Sequence, residues 1–537
     1  MLPMTMSAAS EQAGVENARP IHMTRAAKLL LVPVLLLQVG FFGFVAAHRF
    51  IDGDEGAFLL ASRLVLAHKA PYLDFFYQQA PLLPYAYAAW MKAAGISWFS
   101  GRAFTVLLTS LLGLLLYRHI CQQTGSWLAG FSAVVLFASS TLVFAWFSVV
   151  KTYSLSGLFL FGAYLAISRL SAARPQWWLA VGGLLFGLSV DTRSYLLLVT
   201  PLFLWWVFRN SETQVRLKSM LCFLGGLAIG LAPCLFLFLP SPDTFLFNNL
   251  RYHALRSNLG LIGWWQQKVF VLVQMFLGAR EGNGLQWSLL FFVSAGFIFS
   301  IRRRGYAPRL AFLIALVVGF ICLLPTPAYI QYFSVCVPFL VVSAVCAASE
   351  LFTRLESRRE KLLVTMGVVA VMAGYLVLGG IDLRSYLVTG DGVPGVRTAL
   401  DRGDWRLQRV IAVSHAVDQV AAPGEFVASF WPGDILESQA NTLPGMENPF
   451  ALQVSAKLTP AERARYHITS VPQIESDIAA HRAHVVVLRN QISTAFAANE
   501  IARAQQQADA FRSLLEADGY TLFRSFGGIS VYVHSGS

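Results

Sequence analysis

Phe50-Ile51-Asp52-Gly53-Asp54-Glu55-Gly56-Ala57-Phe58 follows directly on the apolar run 27–47. Three carboxylates, Asp52, Asp54 and Glu55, thus stand a few residues beyond a segment long enough to cross a bilayer. Ala70-Pro71-Tyr72-Leu73-Asp74-Phe75 and Ala80-Pro81-Leu82-Leu83-Pro84-Tyr85 continue the same stretch, and Asp74 adds a fourth acid. Acid groups are costly to desolvate and easily left in water. The run reads as a first transmembrane helix. The acids that follow either solvate a loop or carry chemistry beside lipid.

The rest of the 537-residue chain repeats this alternation. It is 56% hydrophobic and only 13% charged, where a soluble domain has about 25% charged residues. Up to about residue 380 the chain is a series of apolar runs, and beyond that its composition is ordinary. The expected fold is a polytopic α-helical membrane protein with a C-terminal soluble α/β domain. A cleavable signal peptide fits poorly, because 27–47 is too long for its apolar core and no small-residue cleavage site follows. The net charge of +12 sits in short segments between apolar runs. That placement excludes a nucleic-acid-binding stripe. All six cysteines, Cys121, Cys222, Cys234, Cys322, Cys336 and Cys346, lie in or at the end of apolar runs with no metal spacing, so they read as small buried hydrophobes.

About eleven spans are predicted, near 27–47, 103–120, 127–145, 153–168, 177–190, 194–208, 219–239, 286–301, 309–325, 330–349 and 362–380. Arg118, Arg169 with Arg174, Arg209 with Arg216 and Lys218, Arg302-Arg303-Arg304 with Arg309, and Arg354 with Arg358, Arg359 and Lys361 fall on alternate connections. By the positive-inside rule these are cytoplasmic, with the tail 1–26. The loop 48–102 and the domain 381–537 then lie outside, and 27–380 forms the membrane domain. Within the first loop, 56–68 and 82–95 read as helices lying in the interface. The external segment 240–285 carries Phe245, Phe247, Trp264, Trp265, Arg251, Arg256 and Lys268, which suits an aromatic belt beside anionic head groups. In the last domain 402–420 and 496–517 read as helices. Strands are predicted at 425–430, 484–488, 520–523 and 529–533, the last two around Gly527-Gly528.

On an extended segment Asp54 and Glu55 would point opposite ways, one as general base and the other toward a metal, a sugar hydroxyl or the loop. The alternative is a capping pair that favours the dipole of the following helix. The flanking motifs, with Gly101-Arg102-Ala103-Phe104 before the next span, resemble the start of bacterial glycosyltransferase family 39 proteins. These resemble protein O-mannosyltransferases and the aminoarabinose transferase of lipid A, in the C-type glycosyltransferase superfamily. The resemblance spans about residues 45–210. It continues through Pro325-x-Pro327, Gln331-Tyr332-Phe333 and Pro338-Phe339, with Gln331 where many relatives have Arg.

The resemblance implies a C-type fold in the cell's inner membrane and an enzyme taking a sugar from a polyprenyl-phosphate donor to a lipid, glycan or protein acceptor outside the cytoplasm. It assigns Asp54 as the catalytic base with Glu55 in support. Asp74, Tyr72, Gln331 and Tyr332 become candidate substrate contacts. A leaving phosphate needs positive charge nearby, and Lys151, Arg193, Arg251, Arg256, Lys268 and Arg280 are the external candidates. Arg193 could instead pair with Asp191, Lys151 could be an interfacial anchor, and the neighbouring His253 plain surface. Members of the superfamily differ in their use of a divalent ion; Asp54 or Asp74 would be its ligand here. A flippase would show ionisable groups inside spans, whereas the charges here sit mostly at span ends. A polysaccharide polymerase or ligase shares the spans but is argued against by the acidic pair.

Overall fold

The computed structural model describes residues 23–170, 174–256, 260–278, 284–298, 305–391, 393, 396, 399–490 and 498–534. Helices occupy every apolar run predicted to span. Four of them, Leu31–His48, Trp98–Thr124, Ile330–Arg354 and Arg358–Thr389, are long and apolar enough to cross a membrane alone. Thr213–Gly230 with Ala232–Phe238 forms a fifth candidate bent by 54°. Trp127–Ala138, Thr152–Ile167, Gly284–Gly296 and Ala307–Ile321 are shorter apolar helices. The expected pair at 177–208 becomes the helix Pro175–Thr192, a 3-10 turn Ser194–Val199 and the helix Thr200–Asn210.

Outward faces of these helices are apolar. Leu217, Leu221, Ile229 and Phe236 are exposed, and Arg358–Arg384 buries little besides Tyr375 and Gly379. Such surfaces are stable only against lipid or protein. Where helices do meet, small residues let the backbones approach. A Cβ on Gly183 would lie 2.0 Å from the Phe223 carbonyl oxygen, and one on Gly226 2.0 Å from that of Ala180. Gly187 and Gly230 extend the same seam, giving a glycine-every-four-residues contact between Pro175–Thr192 and Arg216–Gly230.

The acidic loop differs from its expected interfacial lie. Its helices are Gly53–Leu66 and Leu82–Ala94, but residues 55–62 are buried throughout. The cover comes from the C-terminal part of the chain. There, five strands form one sheet in the order β2-β1-β3-β5-β4: β1 Phe426–Ser429, β2 Asn441–Thr442, β3 Val485–Arg489, β4 Tyr520–Phe526 and β5 Ile529–His534. β2, β1 and β3 run parallel; β3, β5 and β4 are antiparallel. β3 is buried along its whole length, as its unbroken Val-Val-Val-Leu run requires of a central strand. Helices Leu407–Val417 and Ala498–Ala517 match the expected ones, and β2, two residues long, carried no readable signal.

The loop after β1 sits on the acidic helix. A Cβ on Gly56 would fall 2.8 Å from the backbone of Gly433 and from the Trp431 ring, so only glycine permits this approach. Arg63 donates to the carbonyls of Ile435, Leu436 and Ala440. Asn448 donates to Gln78, and the Glu437 carboxylate accepts the Trp98 N–H.

Candidate active site

The acids stand on the first turn of Gly53–Leu66, not on an extended segment. Asp52 is the N-cap: its Oδ1 accepts the Asp54 N–H at 3.1 Å, and Glu55 Oε1 accepts the Asp52 N–H at 2.8 Å. This reciprocal capping box satisfies amide donors that the helix start would otherwise orphan. The capping alternative read from the sequence is therefore present, with Asp52 as the cap and Glu55 closing the box.

Glu55 is fully buried and committed within the chain. Its carboxylate accepts a fork from Arg102, at 2.9 Å from Nε and 2.7 Å from Nη2, and also the Val150 N–H. Arg102 Nη1 donates to the carbonyls of Ala46 and Arg49. The pair ties the end of the first span to the start of Trp98–Thr124. Asp52 and Asp54 share another cation, with Lys151 Nζ 2.8 Å from Asp52 Oδ1 and 2.9 Å from Asp54 Oδ2. Lys151 is 3% exposed and lies over the Trp146 ring at 4.8 Å, so it is an internal bridge and not an interfacial anchor. Arg49 also lies over the Trp146 ring, 5.1 Å from its centroid.

The two bridged acids differ in environment. Burial pushes the Asp52 carboxyl up, but Lys151 and Arg49 outweigh it and hold the group below the ordinary range. Asp54 goes the other way: burial, reinforced by the Asp52 charge, lifts it despite Lys151. Its side chain is 35% exposed, so a raised carboxyl faces an open mouth. That is the setting of a proton acceptor.

Arg193 stands nearby. It is 4% exposed, donates to Thr152 Oγ1 at 2.7 Å, and is walled by Tyr153, Tyr195 and Tyr332, with ring centroids at 4.4, 4.7 and 5.3 Å. Asp191 does not pair with it; that carboxylate accepts the Cys234 S–H at 2.6 Å. The Arg193 Nε and the Tyr195 hydroxyl are buried with no hydrogen-bond partner among the described residues. Arg256 approaches Tyr329 Oη at 3.4 Å and is close enough for its charge to act on Asp54. Neither arginine makes an ion pair among the described residues. A buried cation without a counter-charge is costly, and Arg193, 4% exposed, is in that position; such a guanidinium can receive an anion.

The other candidates are placed differently. Asp74 is exposed and closes its own turn, accepting the Ala70 N–H at 2.6 Å. Tyr72 is buried with φ +70° and donates to the Gln79 carbonyl. Arg251 is half exposed and pairs with Glu462 at 2.8 Å. Gln331 and Tyr332 share the turn Ile330–Cys336, where Tyr332 faces Arg193. Lys268 donates to the Pro325 carbonyl and to Thr326. His253 is not plain surface: it bonds the Gln78 carbonyl at 3.0 Å, and burial lowers it to about 4, leaving it neutral at pH 7. Arg280 lies outside the described residues. No group of three or more His, Cys, Asp or Glu among the described residues fits a metal ion. Lys151 sits between Asp52 and Asp54, and Asp74 is turned to its own loop.

Reading the sequence missed Asp52, which it set aside, and Arg102, whose fork to Glu55 joins positions 47 residues apart. It also missed the tyrosine cage. The available signal was the aromatic residues beside each cation, Tyr153 after Lys151 and Tyr195 after Arg193.

Comparison with known proteins agrees with this architecture. Residues 78–238 match the family model described as dolichyl-phosphate-mannose-protein mannosyltransferase. No curated protein matches the sequence. Among solved structures, the chain is similar to ArnT from Cupriavidus metallidurans bound to undecaprenyl phosphate, with a TM-score of 0.60 and 13% identity over 95% of this chain and 98% of that one. For the apo form the TM-score is 0.63 and the identity 12%, covering 94% and 98%. The archaeal oligosaccharyltransferase AglB from Archaeoglobus fulgidus, in complex with an inhibitory peptide and a dolichol-phosphate, gives 0.51 and 12%, covering 96% and 75%. The chain shares its fold with ArnT, and the match over residues 78–238 agrees with the resemblance to the mannosyltransferase family read from the sequence.

Proposed function

We propose that this chain, carrying a C-type glycosyltransferase fold, moves a sugar from a polyprenyl-phosphate donor to an envelope lipid, glycan or protein on the extracytoplasmic face of the inner membrane. The observation that carries the reading is Arg193: a buried, tyrosine-caged guanidinium without a carboxylate partner among the described residues, beside the Asp52–Lys151–Asp54 bridge. Solved relatives of this fold bound to undecaprenyl phosphate and to dolichol-phosphate support a lipid phosphate as its anion.

In the proposed reaction the acceptor oxygen attacks the anomeric carbon as the bond from that carbon to the phosphate oxygen breaks. The phosphate leaves as an anion and meets Arg193 and Arg256, so no strong acid is needed. Asp54 takes the proton from an acceptor hydroxyl and returns it to water through the exposed mouth. Lys151 keeps Asp54 ionised and aimed. Glu55 acts through Arg102 by fixing the turn. Tyr332 orders Arg193, Tyr72 braces its own loop through the Gln79 carbonyl, and Asp74, Arg251 and Gln331 are further candidate contacts for donor or acceptor. The arrangement goes with eleven crossings, the shorter helices completing those that the long ones begin. The tail 1–26 is cytoplasmic, 27–380 is the membrane domain, and 381–537 lies outside.

Mass spectrometry of envelope lipids and glycans from cells lacking the chain would identify the sugar and the acceptor. With those in hand, Asp54→Asn should abolish transfer without loss of membrane insertion, and Arg193→Ala should weaken the donor far more than the acceptor. Full transfer by Asp54→Asn would sink the assignment.

A further inference from the structure

The C-terminal sheet does more than roof the acidic helix. Trp431, on the loop after β1, is 4% exposed, and its indole N–H donates to the carbonyl of Gly53 at 2.8 Å. Gly53 is the residue before Asp54 and opens the helix that carries it. One turn on, the same ring fills the space against Gly56. The indole is itself immobilised. Trp98 stacks on it at 5.7 Å with an interplanar angle of 21°, and Trp405 meets it edge-on at 5.0 Å. Arg489 lies 4.5 Å from both the Trp405 and Trp431 rings and is forked onto the fully buried Asp434 at 2.7 and 2.6 Å. Trp405 adds a backbone contact of its own, its carbonyl accepting the Ile51 N–H at 2.8 Å.

The acid turn is therefore held from two sides. Arg102 and Lys151 grip its side chains from the membrane side. Trp431 and Trp405 grip its backbone on both flanks of Asp52. A carboxylate acting as base must be kept within a few tenths of an ångström of the productive geometry, and backbone held by a locked side chain does this better than a free loop. We infer that Trp431 is a positioning residue for Asp54, so that the C-terminal domain sets the turnover of a site whose chemistry belongs to the membrane domain. The inference rests on the function proposed above.

Trp431→Phe keeps an aromatic ring and removes the N–H. In the full-length chain in lipid nanodiscs, kcat for transfer should fall about fivefold, the scale of one lost hydrogen bond. The KM for donor and the affinity for undecaprenyl phosphate should stay within twofold. Hydrogen–deuterium exchange, which needs no substrate, should quicken in residues 51–56 and leave β3 unchanged. Arg63→Ala is the control: it loosens the far end of the same helix from the sheet and should lower the melting temperature with kcat retained. An unchanged kcat and unchanged exchange in Trp431→Phe would overturn the inference. So would an equal fall of kcat in Arg63→Ala, which would mean general undocking. Transfer persisting in Asp54→Asn would instead refute the site itself, and the exchange result would still report whether Trp431 holds the turn.

Discussion

Removing the charge of Lys151 should move the acid limb of the pH–rate profile, by an amount that follows from the bridge geometry. At an effective dielectric of about 20, a unit charge at the 2.9 Å separation of Lys151 from Asp54 is worth roughly 6 kcal/mol. A third of the Asp54 side chain meets water, so about half of this survives, ~3 kcal/mol or roughly two pKa units. Lys151→Met should therefore shift the limb upward by about two pH units, because a base that holds its proton more tightly becomes active only at higher pH. Lys151→Arg should restore most of the profile. Asp52→Asn gives the opposite sign: asparagine still caps the helix, but the repulsion that lifts Asp54 is gone, and the limb should move down. The assay is kcat against pH with the transferred product quantified by mass spectrometry, on protein shown to be monodisperse. If Lys151→Met and Asp52→Asn shift the limb in the same direction, or neither shifts it, Asp54 is not the titrating base.

Glu55→Gln should cost stability before chemistry: it leaves the buried Arg102 without its fork, a loss of about 3–5 kcal/mol, read as a lower melting temperature in detergent. Gly226→Val drives side-chain atoms into the Ala180 backbone and should abolish stable insertion, measured by yield of monodisperse protein, while Gly225→Val next to it, with open space, is tolerated. Glu447 gives the C-terminal region a pH dependence. Burial raises its carboxyl to about 7, partly opposed by the Gly445 N–H and Lys69. Its contribution is whole below the unfolded value near 4.5 and is lost as pH rises through about 7, a change of up to ~3 kcal/mol. Glu447→Gln should flatten that part of the stability–pH curve, and an unaltered curve would refute the assignment.

The helices of the membrane part and four of the five strands were legible because burial on a known side leaves a local pattern: long apolar runs for the former, the Val485-Val486-Val487 run for β3. The acidic motif was legible as a cluster at a helix start, with capping one of two alternatives for Asp54 and Glu55; that Asp52 is the cap was not legible. What covers Gly53–Leu66 was not legible. Its burial depends on Trp431 and Gly433, some 378 residues away, and a helix periodicity shows which face is apolar but not what packs on it. For the same reason Glu55 read as a catalytic candidate and Asp52 was left without a role. Their roles are set by Arg102 and Lys151, whose proximity is a property of the bundle and not of either segment.

The charges of the site carry a kinetic consequence. Asp52, Asp54 and Glu55 are matched in number by Arg49, Arg102 and Lys151, which leaves Arg193 and Arg256 as two further positive charges with no ion pair among the described residues. A sugar-linked polyprenyl phosphate is a diester with one negative charge. The polyprenyl phosphate released from it is a monoester, and near neutral pH it carries almost two. Under the function proposed above, a pocket with these two arginines would hold its spent carrier more tightly than its donor. Turnover would then be paced by how fast the bare lipid phosphate leaves, and accumulated carrier would throttle it.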